Sequence, residues 1–311
     1  MPVRVGWIGL GAMGFPMATR LRRGLPKSSI LYIYDIDEDV LRKFVHESEQ
    51  VGYNESIIIA KNAREVAELS DVILTIVPEG EHVKAVYLTP GTGLLAADDV
   101  SGKIFIDCST IDIATSSFIN QTISNIPHTP PKFYDAPVSG GTAGAAKGTL
   151  SIMLGASPTD PTLPLLHSLF SHMGTSIHTL GGPTLGLAAK ISNNYLSGTI
   201  ALATAEAMNL GMRLGLDPVV LSRCFATSSG ASWVNETINP VPGVCPDAVT
   251  SKGYEGGFKV QLMKKDLGLA VQAAERVGAR LVLGNRTLGA YSAASEDPRC
   301  RDRDSRVVYR W

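Results

Sequence analysis

The sequence predicts an α/β domain with a doubly wound parallel sheet, followed by an all-α domain built on one long helix. Short apolar runs alternate with helical segments through the first half of the chain, and the strand signal ends after Thr184. A chain of 311 residues also exceeds the usual size of a single hydrophobic core, so two domains are expected. The boundary between them is predicted at the turn-forming residues Gly181-Gly182-Pro183, which gives domains at residues 1–182 and 183–311.

The first half of the chain contains apolar segments with the length and β-branched content of buried strands. They cover Val3–Ile8, Ile30–Tyr34, Asp71–Val77, Ile104–Asp107, Phe133–Ala136, Leu150–Leu154 and Ser176–Leu180. Helices are predicted at Met13–Arg23, from near Asp39, at Glu81–Tyr87, and from after Thr110 through Asn125. This alternation is typical of one parallel sheet with helices on both faces.

The second half begins with a long stretch that holds almost no charge. Between Pro183 and Pro218 there is no proline, and the only charged side chains are Lys190, Glu206, Arg213 and, directly before Pro218, Asp217. We therefore predict one largely buried helix of roughly 30 residues, about 45 Å long. Further helices are predicted at Val219–Thr227, Val260–Val277 and Arg286–Ala294, and residues 239–257 should form an ordered but irregular loop.

The first predicted strand leads directly into the glycine-rich motif Gly9-Leu10-Gly11-Ala12-Met13-Gly14, and a helix follows. In this setting Gly9 permits a tight turn, Gly11 lets the backbone approach a pyrophosphate, and Gly14 lets the helix pack against the strand. The N-terminus of the helix supplies free N–H groups and a partial positive charge for phosphates. The motif therefore predicts a Rossmann-type dinucleotide site, with all six of its residues binding the cofactor. A glycine turn that serves only packing is the alternative.

An acidic residue ends the second predicted strand. Asp35 lies 21 positions beyond Gly14, where a carboxylate can accept hydrogen bonds from the adenosine ribose hydroxyls. The same charge would repel a 2′-phosphate. The sequence therefore favours NAD over NADP.

Lys190 is the candidate acid/base residue, because it is an isolated charge in an apolar helical stretch. Asn193 and Asn194 follow three and four residues later and so share its face of the helix. A buried lysine is costly unless a polar or negative group meets it, and burial favours the neutral amine, which can accept a proton. The alternative is a structural lysine that pairs with a buried carboxylate.

A second glycine-rich segment runs from Asp135 through Ala136, Pro137, Val138 and Ser139 to Gly140 and Gly141. It leaves a strand, so it should lie at the carboxyl edge of the sheet, where ligands gather. Consecutive backbone N–H groups in such a loop can bind an anion, and we expect the anion to be a carboxylate. A plain turn is the alternative, and no Gly-Lys-Ser/Thr follows that would indicate a phosphate-binding P-loop.

Composition excludes several classes of function. The net charge of −1 and a charged fraction of 18% do not indicate the basic surface that binding of nucleic acid requires. The arginines between Arg299 and Arg310 alternate with Asp302 and Asp304, so we expect a solvated helix or tail there. No run of ~18 apolar residues predicts a membrane span.

The cysteines and histidines predict neither a disulfide framework nor a metal site. The four cysteines are widely spaced without a CxxC, which is typical of reduced thiols in an intracellular protein. His167 and His172 are five apart and so lie off a common helical face. No signal peptide or presequence is expected in this chain, because it enters its first strand by Val3.

Together these motifs resemble those of the 3-hydroxyisobutyrate dehydrogenases, within the wider β-hydroxyacid dehydrogenase family. The shared signatures are Gly9–Gly14, Asp135–Gly141, Lys190-Ile191-Ser192-Asn193-Asn194 and Lys265-Asp266-Leu267. Three further stretches resemble the 3-hydroxyisobutyrate enzymes in particular: Thr204–Leu210, Asn239–Val244 and Tyr254–Phe258.

The resemblance implies NAD-dependent oxidation of a small hydroxyacid, 3-hydroxyisobutyrate, to methylmalonate semialdehyde in valine degradation. It implies that Lys190 is the catalytic acid/base. The implied substrate-binding residues are Ser139, Gly140, Gly141, Asn194 and Phe258, and the further cofactor-binding residues are Val77, Pro78, Thr110 and Lys265. The chain departs from its relatives at His82, where they often carry Asn, and in an apparent insertion at residues 52–61, which should be a surface excursion.

Two other functions stay open. The chain could be an NADPH-dependent reductase of glyoxylate or succinic semialdehyde, or another short β-hydroxyacid dehydrogenase of the same family. It could also be a dinucleotide-binding regulator without turnover. A long apolar helix in a small domain favours a homodimer or homotetramer, and the resemblance implies mitochondria, with the cytoplasm as the alternative.

Overall fold

The computed structural model describes residues 4–53, 56–127 and 129–310. They form two compact units that divide between Lys190 and Ile191. Val3, the first residue of the first predicted strand, lies outside the described residues, as do Asn54 and Glu55 of the apparent insertion.

The first unit is built on a parallel six-stranded sheet. Its strands are β1 (Val5–Ile8), β2 (Leu31–Tyr34), β3 (Ile57–Ile59), β4 (Val72–Thr75), β5 (Ile104–Asp107) and β6 (Lys132–Asp135). They lie in the order β3-β2-β1-β4-β5-β6, and every neighbouring pair is parallel. The order reverses beside β1, so the predicted doubly wound sheet is confirmed.

Helices cover both faces of this sheet. They are α1 (Gly14–Gly24), α2 (Glu38–Glu49), α3 (Ala63–Leu69), α4 (Gly80–Leu88) and α5 (Ile113–Ser124). Trp7 and Leu74 pack in one core with α1 and α2, whereas their chain neighbours Ile8 and Ile73 pack in a second core with α3, α4 and α5. Successive strand residues point to opposite faces, and burial of each large apolar side chain contributes about 1.5–3 kcal/mol. The continuous apolar runs are therefore what a sheet covered on both faces requires.

The sheet contains a strand that the sequence analysis did not predict. Ile57–Ile59, in the stretch expected to be a surface excursion, pairs in parallel with β2 as the edge strand β3. Three consecutive β-branched residues favour a strand. The strand signal in the sequence was weak because only three residues take part. Ile58 and Ile59 also remain exposed at the sheet edge, so they lack the burial expected of an apolar strand. The expectation of a surface excursion is wrong for these residues.

Two of the predicted strands form a separate small sheet rather than an extension of the first. Its strands are β7 (Val138–Ser139), β8 (Leu150–Leu154) and β9 (Gly174–Thr179), in that order, with α6 (Gly141–Lys147) and α7 (Leu163–Phe170) between them in sequence. β7 and β8 are antiparallel, and β8 and β9 are parallel. Met153 and Gly155 donate to the carbonyls of Pro137 and Asp135, so β8 folds back along the chain that leaves β6.

The long helix α8 covers Leu185–Arg213, which is 29 residues and agrees with the predicted length. The expectation that it is largely buried is wrong. Buried positions recur every three or four residues, whereas Leu196 and Leu210 are 57% and 61% exposed. No helix in the described part of the chain has both the length and the apolar character that crossing a membrane requires.

The second unit is helical. After α8 come α9 (Pro218–Ala226), α10 (Trp233–Thr237), α11 (Val260–Val277) and α12 (Gly284–Glu296). Tyr254, Tyr291 and Val307 are fully buried in one core with α11 and α12. The expectation of a solvated helix or tail after Arg299 is wrong for residues 304–308, because they are buried.

Candidate active site

The three glycines of the Gly9–Gly14 motif serve different purposes. A Cβ on Gly9, whose φ is +97°, would overlap the carbonyl oxygen of Ile76, and a Cβ on Gly14 would overlap that of Gly9. A Cβ on Gly11 would meet nothing within 4 Å. Gly9 and Gly14 are therefore required by the fold, whereas the space beside Gly11 suits the close approach of a ligand.

Hydrogen bonds hold this loop against the end of β2. Trp7 donates its indole N–H to the carbonyl of Gly9 at 2.8 Å, and the backbone N–H of Leu10 donates to Asp35 Oδ2 at 2.5 Å. The other carboxylate oxygen of Asp35 accepts the N–H of Asp37 at 2.9 Å. Each oxygen keeps a further lone pair for a ribose hydroxyl, so Asp35 can position the loop and meet a dinucleotide.

A buried carboxylate joins the ends of β4 and β5. Asp107 Oδ1 accepts the hydroxyls of Thr75 at 2.8 Å and Ser109 at 2.6 Å, and Ser109 Oγ accepts the backbone N–H of Val77 at 2.9 Å. Burial raises the pKa of Asp107 to about 6, against the opposing effect of these hydrogen bonds. Of the predicted cofactor-binding residues, Val77 belongs to this network through its N–H, Pro78 follows Val77, and Thr110 follows Ser109.

Asp135 caps the helix that carries Lys190. Its two carboxylate oxygens accept the backbone N–H groups of Thr184 at 2.7 Å and Leu187 at 2.8 Å, at the start of α8. Burial raises the pKa of Asp135, and the two backbone hydrogen bonds oppose that rise. A Cβ at either Gly155 or Gly186 would overlap this carboxylate. Asp135 therefore has a structural role, which is to accept hydrogen bonds from the N-terminus of α8.

The segment that follows Asp135 turns sharply from β7 into α6. Ser139 is half-buried, and Gly140 and Gly141 are exposed with φ of 132° and 63°. A Cβ on Gly141 would meet nothing within 4 Å. Both glycines adopt a positive φ that glycine tolerates without strain, and their exposed backbone leaves room for a ligand.

The predicted acid/base lysine lies on the buried stripe of α8. Lys190 is 7% exposed, and Asn194, one turn further along the helix, is 6% exposed. Asn193 is half-buried and donates its amide to Asn194 Oδ1 at 3.2 Å. The predicted sharing of one helical face is confirmed for Lys190 and Asn194.

Asn194 has a carboxylate partner that the sequence analysis did not predict. Its amide nitrogen donates to Asp266 Oδ2 at 2.5 Å, and Lys265 Nζ lies 3.3 Å from Asp266 Oδ1. Asp266 is almost fully buried on α11, and this pairing fixes which way the Asn194 amide points. One amide hydrogen of Asn194 remains for a ligand. The adjacent signature residues Lys265-Asp266 were the only signal for this pair in the sequence.

Phe258 and His82 have different surroundings. Phe258 is half-buried against the core of α11 and α12, and its backbone N–H donates to Asp304 Oδ2 at 2.9 Å. His82 is exposed on α4. Among the described residues, no group of three or more His, Cys, Asp or Glu side chains is arranged to hold a metal ion.

Comparison with known proteins agrees with this architecture. Residues 4–182 match the family model for the NAD binding domain of 6-phosphogluconate dehydrogenase. Residues 185–311 match the model described as NAD-binding of NADP-dependent 3-hydroxyisobutyrate dehydrogenase.

Individual relatives match over nearly the whole chain. Mouse mitochondrial 3-hydroxyisobutyrate dehydrogenase is 38% identical over 282 residues, which are 90% of this chain and 78% of the relative. An NAD-dependent L-serine dehydrogenase of Pseudomonas aeruginosa is 37% identical over 288 residues, which are 93% of this chain and 91% of the relative. The solved structure of Mycobacterium tuberculosis 3-hydroxyisobutyrate dehydrogenase with L-serine has a TM-score of 0.87 and 29% identity, and it covers 100% of this chain and 99% of its own.

The dinucleotide-binding unit and the helical unit that follows it define a nicotinamide-dependent oxidoreductase. Identity of 38% across nine-tenths of the chain narrows this class further. The chain belongs to the 3-hydroxyisobutyrate dehydrogenase family, and the resemblance seen in its motifs is confirmed.

Proposed function

We propose that this protein oxidises 3-hydroxyisobutyrate to methylmalonate semialdehyde with NAD, a step of valine degradation. The observation that carries the proposal is the buried Lys190, one turn before buried Asn194 on α8, in a chain with this degree of identity to 3-hydroxyisobutyrate dehydrogenases. A dinucleotide-binding regulator would not need a proton-transfer group at this position.

The loop at Gly9–Gly14 would hold the pyrophosphate of the cofactor, since the space beside Gly11 accepts a close approach. Asp35 would accept the ribose hydroxyls and favour NAD, although one matching family model is described as NADP-dependent. Val77, Pro78 and Thr110 would line the cofactor site, and Lys265 would reach its nicotinamide end. The chemistry that bound NAD supplies is acceptance of a hydride at the nicotinamide ring.

The substrate would be held by its carboxylate. The backbone N–H groups at Ser139, Gly140 and Gly141 would bind the carboxylate, and the remaining amide hydrogen of Asn194 would donate to it. Phe258 would form an apolar wall against the carbon chain. A fixed carboxylate places the hydroxyl carbon for reaction and so removes much of the entropic cost of the encounter.

Lys190 would move the proton. Its neutral amine accepts the proton of the substrate hydroxyl as the hydride leaves the same carbon, and in the reverse direction its ammonium donates that proton to the aldehyde oxygen. The product is a β-aldehyde acid. The oxidation removes only a hydride and a proton, so the product keeps the carboxylate. Asp135 supports this role by holding the first turn of α8, where Lys190 follows Leu187 by three residues.

The test of this proposal is steady-state NADH or NADPH production by the purified protein. The substrates are 3-hydroxyisobutyrate, D-serine, L-serine and 4-hydroxybutyrate, each with NAD and with NADP. The proposal expects the highest kcat/KM with 3-hydroxyisobutyrate and NAD. A preference for NADP with 4-hydroxybutyrate, or with glyoxylate in the reverse direction, would favour a semialdehyde or glyoxylate reductase instead.

L-serine is the second candidate substrate. It is favoured by the Pseudomonas aeruginosa relative, an NAD-dependent L-serine dehydrogenase, and by the Mycobacterium tuberculosis structure described with L-serine. Serine also carries a primary alcohol β to a carboxylate, so the same residues would act on it. The ratio of kcat/KM values for the two acids decides between them.

We propose a homodimer or homotetramer that covers apolar side chains of the helical unit. The exposed apolar residues there include Leu196, Leu210, Leu214, Val220 and Trp233. A monomer by sedimentation at micromolar concentration would contradict this.

The named mitochondrial relatives favour a mitochondrial location, with the cytoplasm as the alternative. We retain 182/183 as the proposed domain boundary, since the two family models meet between residues 182 and 185.

A further inference from the structure

The C-terminal segment, residues 299–310, is bonded to the loop that precedes α11. The backbone N–H of Asp304 donates to the carbonyl of Tyr254 at 2.8 Å, and that of Ser305 donates to Phe258 at 2.7 Å. In return, Val260, the first residue of α11, donates to Arg303 at 2.9 Å. The segment therefore pairs with both ends of Tyr254–Phe258 and satisfies an N–H group at the start of α11.

The Asp304 carboxylate lies at the centre of this pairing and is fully buried. Oδ2 accepts the backbone N–H of Phe258 at 2.9 Å and Arg306 Nη1 at 3.0 Å, while Oδ1 accepts the backbone N–H of Arg306 at 3.0 Å. A buried carboxylate is tolerated because a charged partner and two N–H groups meet it. Its position is therefore closely defined, and with it the backbone position of Phe258.

One residue of the loop held by Asp304 has an unfavourable backbone conformation, which is Tyr254. Tyr254, Gly256 and Gly257 have φ of 62°, 78° and 67°, and a positive φ is uncommon for a tyrosine. A Cβ on Gly257 would overlap Asp304 Oδ2. Such a conformation persists only where the surroundings enforce it, and here the C-terminal segment does so.

We propose that Asp304 is a positioning residue for substrate binding, because it fixes the backbone of Phe258 and so the apolar wall of the substrate site. This inference rests on the proposed function, in which Phe258 contacts the substrate. Asp304 itself does not contact the substrate. Loosening Asp304 should therefore weaken binding of the hydroxyacid, with little effect on NAD affinity or on kcat.

The experiment compares Asp304→Asn, Phe258→Ala and the double variant in the full-length protein. KM for 3-hydroxyisobutyrate, kcat, and NAD affinity by fluorescence titration are measured for each. Weakening a hydrogen bond to a charged group predicts a rise in KM of about tenfold for Asp304→Asn. If Asp304 acts through Phe258, the double variant should show a KM close to that of Phe258→Ala alone.

The matched control is Asp302→Asn in the same segment. Asp302 is exposed and contacts Lys259 and Gln261, at the start of α11. Its variant should leave KM, kcat and NAD affinity unchanged. If Asp304→Asn does not fold, Arg306→Lys keeps the carboxylate but loosens its guanidinium partner, and should raise KM in the same direction.

The possible results separate the proposed function from the role of Asp304. An unchanged KM in Phe258→Ala, or no turnover of 3-hydroxyisobutyrate by the wild type, contradicts the proposed function. A raised KM in Phe258→Ala with an unchanged KM in Asp304→Asn or Arg306→Lys overturns the role of Asp304 alone. Multiplicative KM effects in the double variant, or equal losses of NAD affinity, overturn it too, because they indicate general loosening of the fold.

Discussion

The carboxylate of Asp135, at the end of β6, accepts the backbone N–H of Leu187, 52 residues later in the chain. The start of a helix leaves N–H groups without partners, and a carboxylate there is favoured by hydrogen bonding and by the helix dipole. Lys190 lies three residues beyond Leu187. The strand that leads into the Ser139–Gly141 segment and the helix that carries Lys190 are thus joined by one side chain.

Replacement of Asp135 by alanine should lower both stability and turnover. The change leaves the N–H groups of half-buried Thr184 and buried Leu187 without the carboxylate acceptor, so the free energy of unfolding in urea should fall by about 3 kcal/mol. The control is Asp217→Ala, which removes the exposed cap of α9 and should cost about 1 kcal/mol with kcat unchanged. Equal losses in the two variants would contradict a special role for Asp135.

Stability should depend on the protonation of Asp107. Because its pKa in the folded protein is raised to about 6, the folded state holds the proton more tightly than the unfolded chain. Its stabilising contribution is present below about pH 4 and is lost as the pH rises through about 6, which amounts to about 3 kcal/mol. Asparagine has no proton to lose here, so the unfolding free energy of the wild type should fall relative to that of Asp107→Asn when the pH is raised from about 4.5 to about 7.5. A difference independent of pH would refute the assignment.

Replacement of Lys190 by alanine should abolish turnover and leave NAD affinity near normal. Loss of a general acid/base group reduces kcat by about 10²–10⁴-fold. NAD binding is measured by fluorescence titration, and Lys84→Ala, which removes an exposed lysine paired with Glu81, serves as the control. Retained turnover would remove Lys190 from the mechanism, and absence of turnover in the wild type would favour a regulator.

Replacement of Asp35 by alanine should relax the preference for NAD, because the charge that repels a 2′-phosphate is lost. The measurement is the ratio of kcat/KM with NAD to that with NADP. Asp39→Ala is the control, since Asp39 is exposed on α2 and pairs with Arg42. If the ratio is unchanged in Asp35→Ala, another residue sets the preference.

Alanine substitutions at two glycines of the Gly9–Gly14 motif should affect stability and cofactor binding separately. Gly14→Ala places a Cβ against the carbonyl of Gly9 and should lower the melting temperature, whereas Gly11→Ala meets no protein atom within 4 Å. We therefore expect Gly11→Ala to keep its stability but to lose NAD affinity. Normal NAD affinity in a folded Gly11→Ala would show that the pyrophosphate does not approach this glycine.

The strands were predictable only in part. The strongly apolar strands β1, β4 and β5 were located from their composition, but β3 is three residues long and mostly exposed at the sheet edge. Strands β8 and β9 were located as well, yet their assignment to a second sheet depends on how β8 pairs with the chain after β6. Pairing between distant segments leaves no periodic pattern in either segment.

The sequence by itself determined the fold class, the dinucleotide loop and the candidate acid/base lysine. Each of these depends on a local pattern: alternating elements, glycines at set spacings, and one charge in an apolar helix. Only the tertiary structure decided what the buried carboxylates do. Asp135, Asp266 and Asp304 bond to partners 52, 72 and 46 residues away. A carboxylate is placed by whichever N–H group the folded chain brings within about 3 Å of it, and that proximity exists only once the chain has folded.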